Sequence, residues 1–220
     1  MKRRVAILIS GRGSNMAALI EAAKAADFPA EIAVVISNRA DAGGLAIARQ
    51  SGVPTLTIES KPFGKDRVAF EAVVQAALDQ HRIDLVCLGG FMRLLTAEFV
   101  QRWYGRMLNI HPSLLPSFPG IDPARQALDA GVKISGATVH FVIPETDAGP
   151  IVMYPRPSPG DFMFPAAHSL TSDWRAPSLR YWPAKFHDGR KLAQRRRNQH
   201  VVATVIARRF ADVALQPDFA

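Results

Sequence analysis

The sequence predicts an α/β protein built on a mostly parallel, twisted sheet with helices on both faces. Three observations carry that expectation. Short β-branched, apolar runs alternate with segments of helical periodicity through the first 150 or so residues. A glycine-bearing turn, Ser10-Gly11-Arg12-Gly13, follows the first of these runs. The fourth run, Asp84 to Leu88, is apolar beyond its first residue, as befits a strand covered on both faces.

Taken in order, Arg4 to Ile9 reads as the first strand and Met16 to Ala23 as a helix. Between them Gly11 and Gly13 let the backbone approach an anion, the amides that open the helix favour phosphate, and Ser14 and Asn15 add side-chain donors. The alternative is an ordinary turn capped by Ser14 or Asn15. The dinucleotide fingerprint Gly-x-Gly-x-x-Gly fails here, because Met16 stands where its third glycine belongs. Glu31 to Ser37 is the second strand, Gly43 to Ser51 a helix, and Thr55 to Ile58 a short third strand. From Asp66 to His81 the positions Val68, Phe70, Val73, Val74, Ala77 and Leu78 recur at helical spacing. The loop Gly89 to Leu95, apolar but for Arg93, follows the fourth strand and suits a flat heteroaromatic ligand held by backbone groups. A loop folded back on the core is the commoner use of such residues.

Thr96 to Trp103 reads as a helix and Arg106 to Ile110 as the fifth strand. It delivers Asn109 and His111, two residues apart and therefore on one face of an extended chain. Pro112, Pro116 and Pro119 end regular pairing at once, which places the pair at a carboxyl edge, where open α/β sheets bind ligands. An amide donor beside an imidazole is a plausible oxyanion and acid/base pair, and a histidine capping its own turn is the plainer reading. Asp122 to Gly131 is a short helix, and Ile134 to Val142 a long β-rich stretch leading into Pro144 to Pro150. That loop could bring the Asp147 carboxylate against His111, raising the pKa of the ring and orienting it; alone, an Asp before Ala-Gly-Pro is usually a turn residue.

Composition narrows the class. No stretch approaches the roughly 18 apolar residues of a membrane helix, and the short first run ends too soon for a signal peptide. Cys87 is the only cysteine, so neither an intrachain disulfide nor a cysteine-based metal site is expected, and the default setting is cytoplasmic. The net charge of +8 is uneven: residues 154–220 hold 11 Lys+Arg against 5 Asp+Glu, leaving 16 against 14 for the rest. A basic end of this kind can meet nucleic acid or an acidic membrane surface, but is more often a solvated extension.

Four segments together resemble the phosphoribosylglycinamide formyltransferase family of purine synthesis, in order and spacing across residues 5–153. They are Gly11 to Asn15, Gly89 to Leu95, Asn109 to Pro116, and Thr138 to Phe141 with Asp147 to Pro150. The Asn-x-His-Pro-Ser-Leu-Leu-Pro segment is shared with other users of 10-formyltetrahydrofolate; the Gly-Arg-Gly-Ser-Asn loop narrows the acceptor to a phosphoribosyl amine. The resemblance implies a Rossmann-like fold of formyltransferase type, with the acceptor bound at Arg12, Gly13, Ser14 and Asn15. It implies a folate site at Arg67, Met92, Arg93, Leu94 and Leu95, closed by residues 143–147, with Asn109 also facing the folate. Asn109 and His111 would bind the formyl oxygen, and Asp147 would keep His111 protonated and help move the proton. 10-Formyltetrahydrofolate would be the co-substrate, without a metal, in a monomer or homodimer that acts on small molecules, with neither membrane nor nucleic acid as a partner.

Two departures stand out. Ile121-Asp122-Pro123-Ala124 replaces a segment in which relatives place histidines. After Met153 the closing amphipathic helix of the family is missing, and Tyr154 to Gly160, with prolines at 155, 157 and 159, then Trp174, Trp182 and Arg195 to Arg197, stand in its place. The expectation is a formyltransferase domain over 1–153 and an atypical basic extension over 154–220 that packs less well, with Val201 to Val213 as its one candidate helix. A change of reading frame near codon 153 would account for the switch. The competing readings are another transferase or hydrolase using 10-formyltetrahydrofolate, a nicotinamide-dependent oxidoreductase, which the missing third glycine disfavours, and a non-catalytic relative whose basic tail binds nucleic acid.

Overall fold

The computed structural model describes residues 2–132 and 134–154; the expectations for Pro155 onward, including the helix over Val201 to Val213, lie outside the described residues. The chain runs β1 (Arg3–Ile9), α1 (Ser14–Ala23), β2 (Ala30–Ser37), α2 (Gly43–Gln50), β3 (Thr55–Thr57), a 3-10 turn (Lys61–Phe63), α3 (Arg67–Gln80), β4 (Leu85–Leu88), α4 (Ala97–Arg102), β5 (Met107–His111), α5 (Pro123–Asp129), β6 (Thr138–Phe141) and β7 (Ile151–Met153). Among the described residues one sheet holds all seven strands, in the order β3-β2-β1-β4-β5-β6-β7. The first five are parallel, and β6 and β7 pair antiparallel. The mostly parallel sheet is as the sequence leads one to expect.

Alternation along β1 shows why its sequence is apolar on both faces. Val5, Ile7 and Ile9 join a core with Met16, Leu19 and Ile20 of α1 and Leu45 and Ala48 of α2. Ala6 and Leu8 point the other way, into a core with Phe70, Val74 and Leu78 of α3 and Phe99 and Trp103 around α4. Met16, at the position of the absent third glycine, is fully buried in the first of these cores.

Two expectations need correction. The stretch Ile134 to Val142 yields a strand only over Thr138–Phe141. Gly136 ahead of it lies so close to Leu114 that a Cβ there would come within 2.6 Å of a Leu114 methyl, so residues 135–137 serve loop packing in place of pairing. Val68 and Val73 are exposed. The buried stripe of α3 is Phe70, Val74, Ala77 and Leu78 at i, i+4, i+7, i+8, widened by two polar residues, Glu71 and Gln75. These are not orphaned: the Glu71 carboxylate accepts the Thr96 N–H at 2.8 Å and the Thr96 hydroxyl, and the Gln75 carbonyl accepts the Trp103 indole N–H at 2.9 Å. α3 therefore grips both ends of α4, and with it the end of the loop that follows β4.

The strand order reverses between β1 and β4. From there β2 and β3 lie to one side and β5 to the other, which is the crevice where open α/β sheets take their ligands.

Candidate active site

The carboxyl edge of the sheet presents two neighbouring regions. In register, Leu8 pairs with Leu88 and Leu88 with Asn109, so the ends of β1 and β5 lie about 10 Å apart, two strand spacings, with the end of β4 between them.

Asn109 and His111 share a face of β5, and both meet Asp147. The His111 Nδ1 lies 3.3 Å from one Asp147 oxygen, and its Nε2 2.9 Å from the Phe118 carbonyl. A carboxylate and a carbonyl can only accept, so both contacts are satisfied when both ring nitrogens carry hydrogens. The Asn109 amide nitrogen lies 3.2 Å from the Nε2 of His140 and 3.5 Å from the other Asp147 oxygen.

His140 faces Asn109 across the β5–β6 pairing, and its Nδ1 meets the Phe141 carbonyl at 2.9 Å. That carbonyl requires an N–H on Nδ1, which leaves Nε2 of the neutral ring as the acceptor for the Asn109 amide. Burial pushes the His140 pKa below its ordinary value; the Phe141 carbonyl and the Asp147 carboxylate oppose that shift, and His111 adds to it. The neutral ring fits the hydrogen bonding.

The loops are built to hold this cluster. Asp147 has a left-handed backbone (φ 54), a conformation Asp tolerates better than most residues. Gly149 approaches β6 so closely that a Cβ would stand 1.9 Å from the Phe141 carbonyl oxygen, and the Phe141 N–H donates to Pro150 O at 2.9 Å. On the other side, the Asp147 carboxylate accepts the Gly120 N–H at 2.8 Å. The fully buried Thr138 hydroxyl donates to Ser113 O at 2.7 Å and accepts the Leu115 N–H at 2.9 Å. Ser113 donates to Ser117 O at 2.6 Å. These bonds fix the turn that aims the Phe118 carbonyl at His111.

The second region is the β1–β4 crevice. α1 begins at Ser14, with Gly13 in a left-handed conformation (φ 68) as its N-cap and no side-chain cap; Ser14 and Asn15 do not spend their side chains on the helix, contrary to the plain capped-turn alternative. Gly13 packs against Gly44 at the start of α2, where a Cβ would stand 2.9 Å from the Gly44 Cα. Arg12 and Ser14 are exposed. In the loop after β4, Met92 is 79% exposed and Leu94 65% exposed, while Leu95 is half-buried and packs on the α3 side of the core. The Arg93 guanidinium lies over the Phe70 ring at 5.1 Å. Arg67 precedes Phe70 by one turn of α3, so the two arginines expected at a folate site converge on the start of that helix.

The structure thus brings Asn109, His111 and Asp147 together, as expected. It adds His140, which the sequence reading passed over as a catalytic candidate. The available signal was alternation: Thr138 and His140 share a strand face in the same way as Asn109 and His111.

Residues 3–157 match the model of the formyl transferase family. Over 149 residues the chain is 44% identical to phosphoribosylglycinamide formyltransferase of Escherichia coli strain K12, covering 68% of this chain and 70% of that one. Over 152 residues it is 51% identical to the human trifunctional purine biosynthetic protein adenosine-3, covering 69% of this chain. The chain spans only 15% of the length of that relative. Among solved structures, phosphoribosylglycinamide formyltransferase from Brucella melitensis aligns with a TM-score of 0.70 at 40% identity, covering 94% of this chain and 97% of that one.

Proposed function

This chain belongs to the formyl transferase family, and from that premise we propose that it transfers the formyl group of 10-formyltetrahydrofolate to the amine of 5'-phosphoribosylglycinamide in purine biosynthesis. The observation that carries the reading is the cluster of buried His111 with the partly buried Asn109 and Asp147, beside a glycine turn at the point where the sheet order reverses.

In this reading the acceptor's phosphate lies against Gly13, Ser14 and Asn15 with Arg12 at its rim, and the folate lies along Met92 to Leu95, with Arg93 and Arg67 toward its acidic end and Asn109 at its formyl group. The amine nitrogen attacks the formyl carbon, the carbonyl oxygen takes up negative charge, and the bond from that carbon to the folate nitrogen breaks as a proton passes from the amine to the departing nitrogen. One Asn109 N–H is held by His140; the other meets Asp147 only loosely and is free to turn to the oxyanion. His111 gives its Nε2 proton to a neutral carbonyl in the unliganded protein. An oxyanion is a stronger acceptor than that carbonyl and competes for the proton. Asp147 holds the opposite nitrogen and stabilises the charged ring. A cytoplasmic location, a monomeric or homodimeric state and the absence of a nucleic-acid partner complete the proposal, with the chemistry placed in residues 1–153 and residues 154–220 as a basic extension.

The test is one assay of the full chain with 10-formyltetrahydrofolate and glycinamide ribonucleotide. Formylated acceptor and tetrahydrofolate in equal amounts are expected. Release of formate without acceptor formylation would instead mark a hydrolase.

A further inference from the structure

The crevice between β1 and β4 is stapled shut at its base by one buried side chain. We propose that Ser10 is a positioning residue for the formyl donor: its hydroxyl sets the backbone of the Gly89–Leu95 loop, so that the end of β1 builds both ligand sites. The proposal rests on the formyltransferase reading for the identity of the donor.

Ser10 is the residue at which β1 ends and the glycine turn begins. Its N–H donates to Gly90 O at 3.0 Å, and its hydroxyl oxygen accepts the Met92 N–H at 2.7 Å. The two bonds prolong the β1–β4 pairing past the strands, into a loop whose outward side chains, Met92 and Leu94, are too exposed to anchor it. The hydroxyl proton is committed in turn, donating to the Asn38 side-chain carbonyl at 2.6 Å, while the Asn38 amide donates to Ser60 Oγ at 3.1 Å. Ser10, Asn38 and Ser60 are all buried. Each polar group in this chain has a partner, so the hydroxyl has one orientation and the Met92 amide one place to go.

The far end of the same loop is held by Glu71 through Thr96, and its middle by Phe91 stacked on Phe70. The Gly89 N–H donates to Leu8 O at 2.8 Å and ties the start of the loop to β1; beyond Gly90, among the described residues, the Ser10 hydroxyl is the one hydrogen bond that joins the loop to the end of the strand carrying the acceptor turn. Removing the hydroxyl leaves the buried Asn38 carbonyl without its donor and the Met92 N–H without its acceptor. The Met92 N–H regains a partner when its part of the loop shifts toward water, which moves the surface offered to a flat ligand.

The experiment measures tetrahydrofolate binding by calorimetry and amide exchange without ligand, on the full chain and on Ser10→Ala and Ser10→Thr. For Ser10→Ala the expected tetrahydrofolate Kd is about tenfold higher, the scale of one lost hydrogen bond. Met92 amide exchange should be at least about tenfold faster, while the amides of Ile7 and Val86 keep their protection. Ser10→Thr, which keeps the hydroxyl, should restore tetrahydrofolate affinity and Met92 protection. Should Ser10→Ala fail to fold, Ser10→Cys, of near-equal size with a weak acceptor, takes its place with the same expected losses. Unchanged tetrahydrofolate affinity in a folded variant overturns the proposal, whether or not Met92 exchange changes. Failure of the wild-type chain to bind tetrahydrofolate overturns the formyltransferase reading, and this proposal with it.

Discussion

The β5–β6 corner and the β1–β4 crevice lie side by side on one sheet edge, but they are held in opposite ways. In the corner, the side chains of His111, His140 and Asp147 are largely shielded from solvent, with His111 bonded to Asp147 and the Phe118 carbonyl, and His140 to Asn109 and the Phe141 carbonyl. In the crevice, Arg12, Ser14, Arg67, Met92 and Leu94 are exposed, and the order resides in the backbone, through Gly13, Gly44, Ser10 and Glu71. The difference fits a division of labour: chemistry needs dipoles fixed before the reaction and shielded from water, whereas recognition of a mobile ligand needs reachable groups on a firm base. Substitutions in the corner should therefore act on turnover, and substitutions in the crevice on binding.

The sharpest way to break this division is to change the corner and look for an effect on binding. His111→Ala and Asp147→Asn are each expected to lower kcat by roughly 10² or more, as loss of a general acid/base or its partner does, with the KM of either substrate changed less than about threefold. Steady-state kinetics with both substrates varied decides it. A large rise in KM at unchanged kcat would move these residues into the binding class.

Gly149→Ala tests whether the corner depends on its scaffold. A methyl 1.9 Å from the Phe141 carbonyl oxygen cannot be accommodated without moving the loop, at a cost of about 2 kcal/mol or more. Because Asp147 is two residues away, turnover should fall together with the thermal midpoint, whereas Asp147→Asn should lower turnover with a smaller loss of stability. Equal midpoints for Gly149→Ala and wild type would show that the loop yields easily and that Asp147 is not held by it.

In the crevice the expected effects are smaller. Ser14→Ala or Asn15→Ala should raise the acceptor KM by about tenfold, and Arg67→Ala or Arg93→Ala should do the same for the folate, each with less effect on the other ligand. Separate titrations with glycinamide ribonucleotide and tetrahydrofolate measure this. Arg93 carries a second burden through its contact with the Phe70 ring, so its replacement should also cost some stability where that of the exposed Arg67 should not. Equal losses for both ligands would remove the distinction between the two subsites.

The contrast also explains how much could be read from the chain. The order of the first six strands and their helices, the sheet edge and the pair Asn109 and His111 were legible, because apolar periodicity and a proline-terminated strand are local signals; Asp147 was singled out by the resemblance, since alone it reads as a turn residue. What escaped depends on tertiary placement. β7 is three residues long and, among the described residues, pairs only with β6. Glu71 and Gln75 look like the solvent face of a helix until α4 is laid on them. Ser10 looks like the first residue of a turn until the loop after β4 comes within hydrogen-bond reach. The role of His140 is set by register, since it faces Asn109 only because β6 runs antiparallel to β5.

That register gives the last and smallest expected effect, on stability and not on catalysis. Burial keeps His140 neutral in the folded protein to a lower pH than in the unfolded chain, where the ring titrates near 6.5. Below that value the unfolded chain binds a proton that the folded one refuses. Stability is therefore lost as pH falls from about 6.5 toward the lowered folded-state pKa, and His140 has no effect on the pH dependence above that window. His140→Gln removes this titration while retaining a side chain able to accept from Asn109. Urea midpoints taken at about pH 7.5 and about pH 5.5 should fall more in the wild type than in His140→Gln, with the two proteins running parallel above about pH 7. Identical pH profiles would mean that the ring takes up its proton at the same pH folded and unfolded, so that burial does not hold it neutral; a wild-type midpoint that falls less than that of His140→Gln would mean that the ring is charged in the folded state, where it could not accept from Asn109.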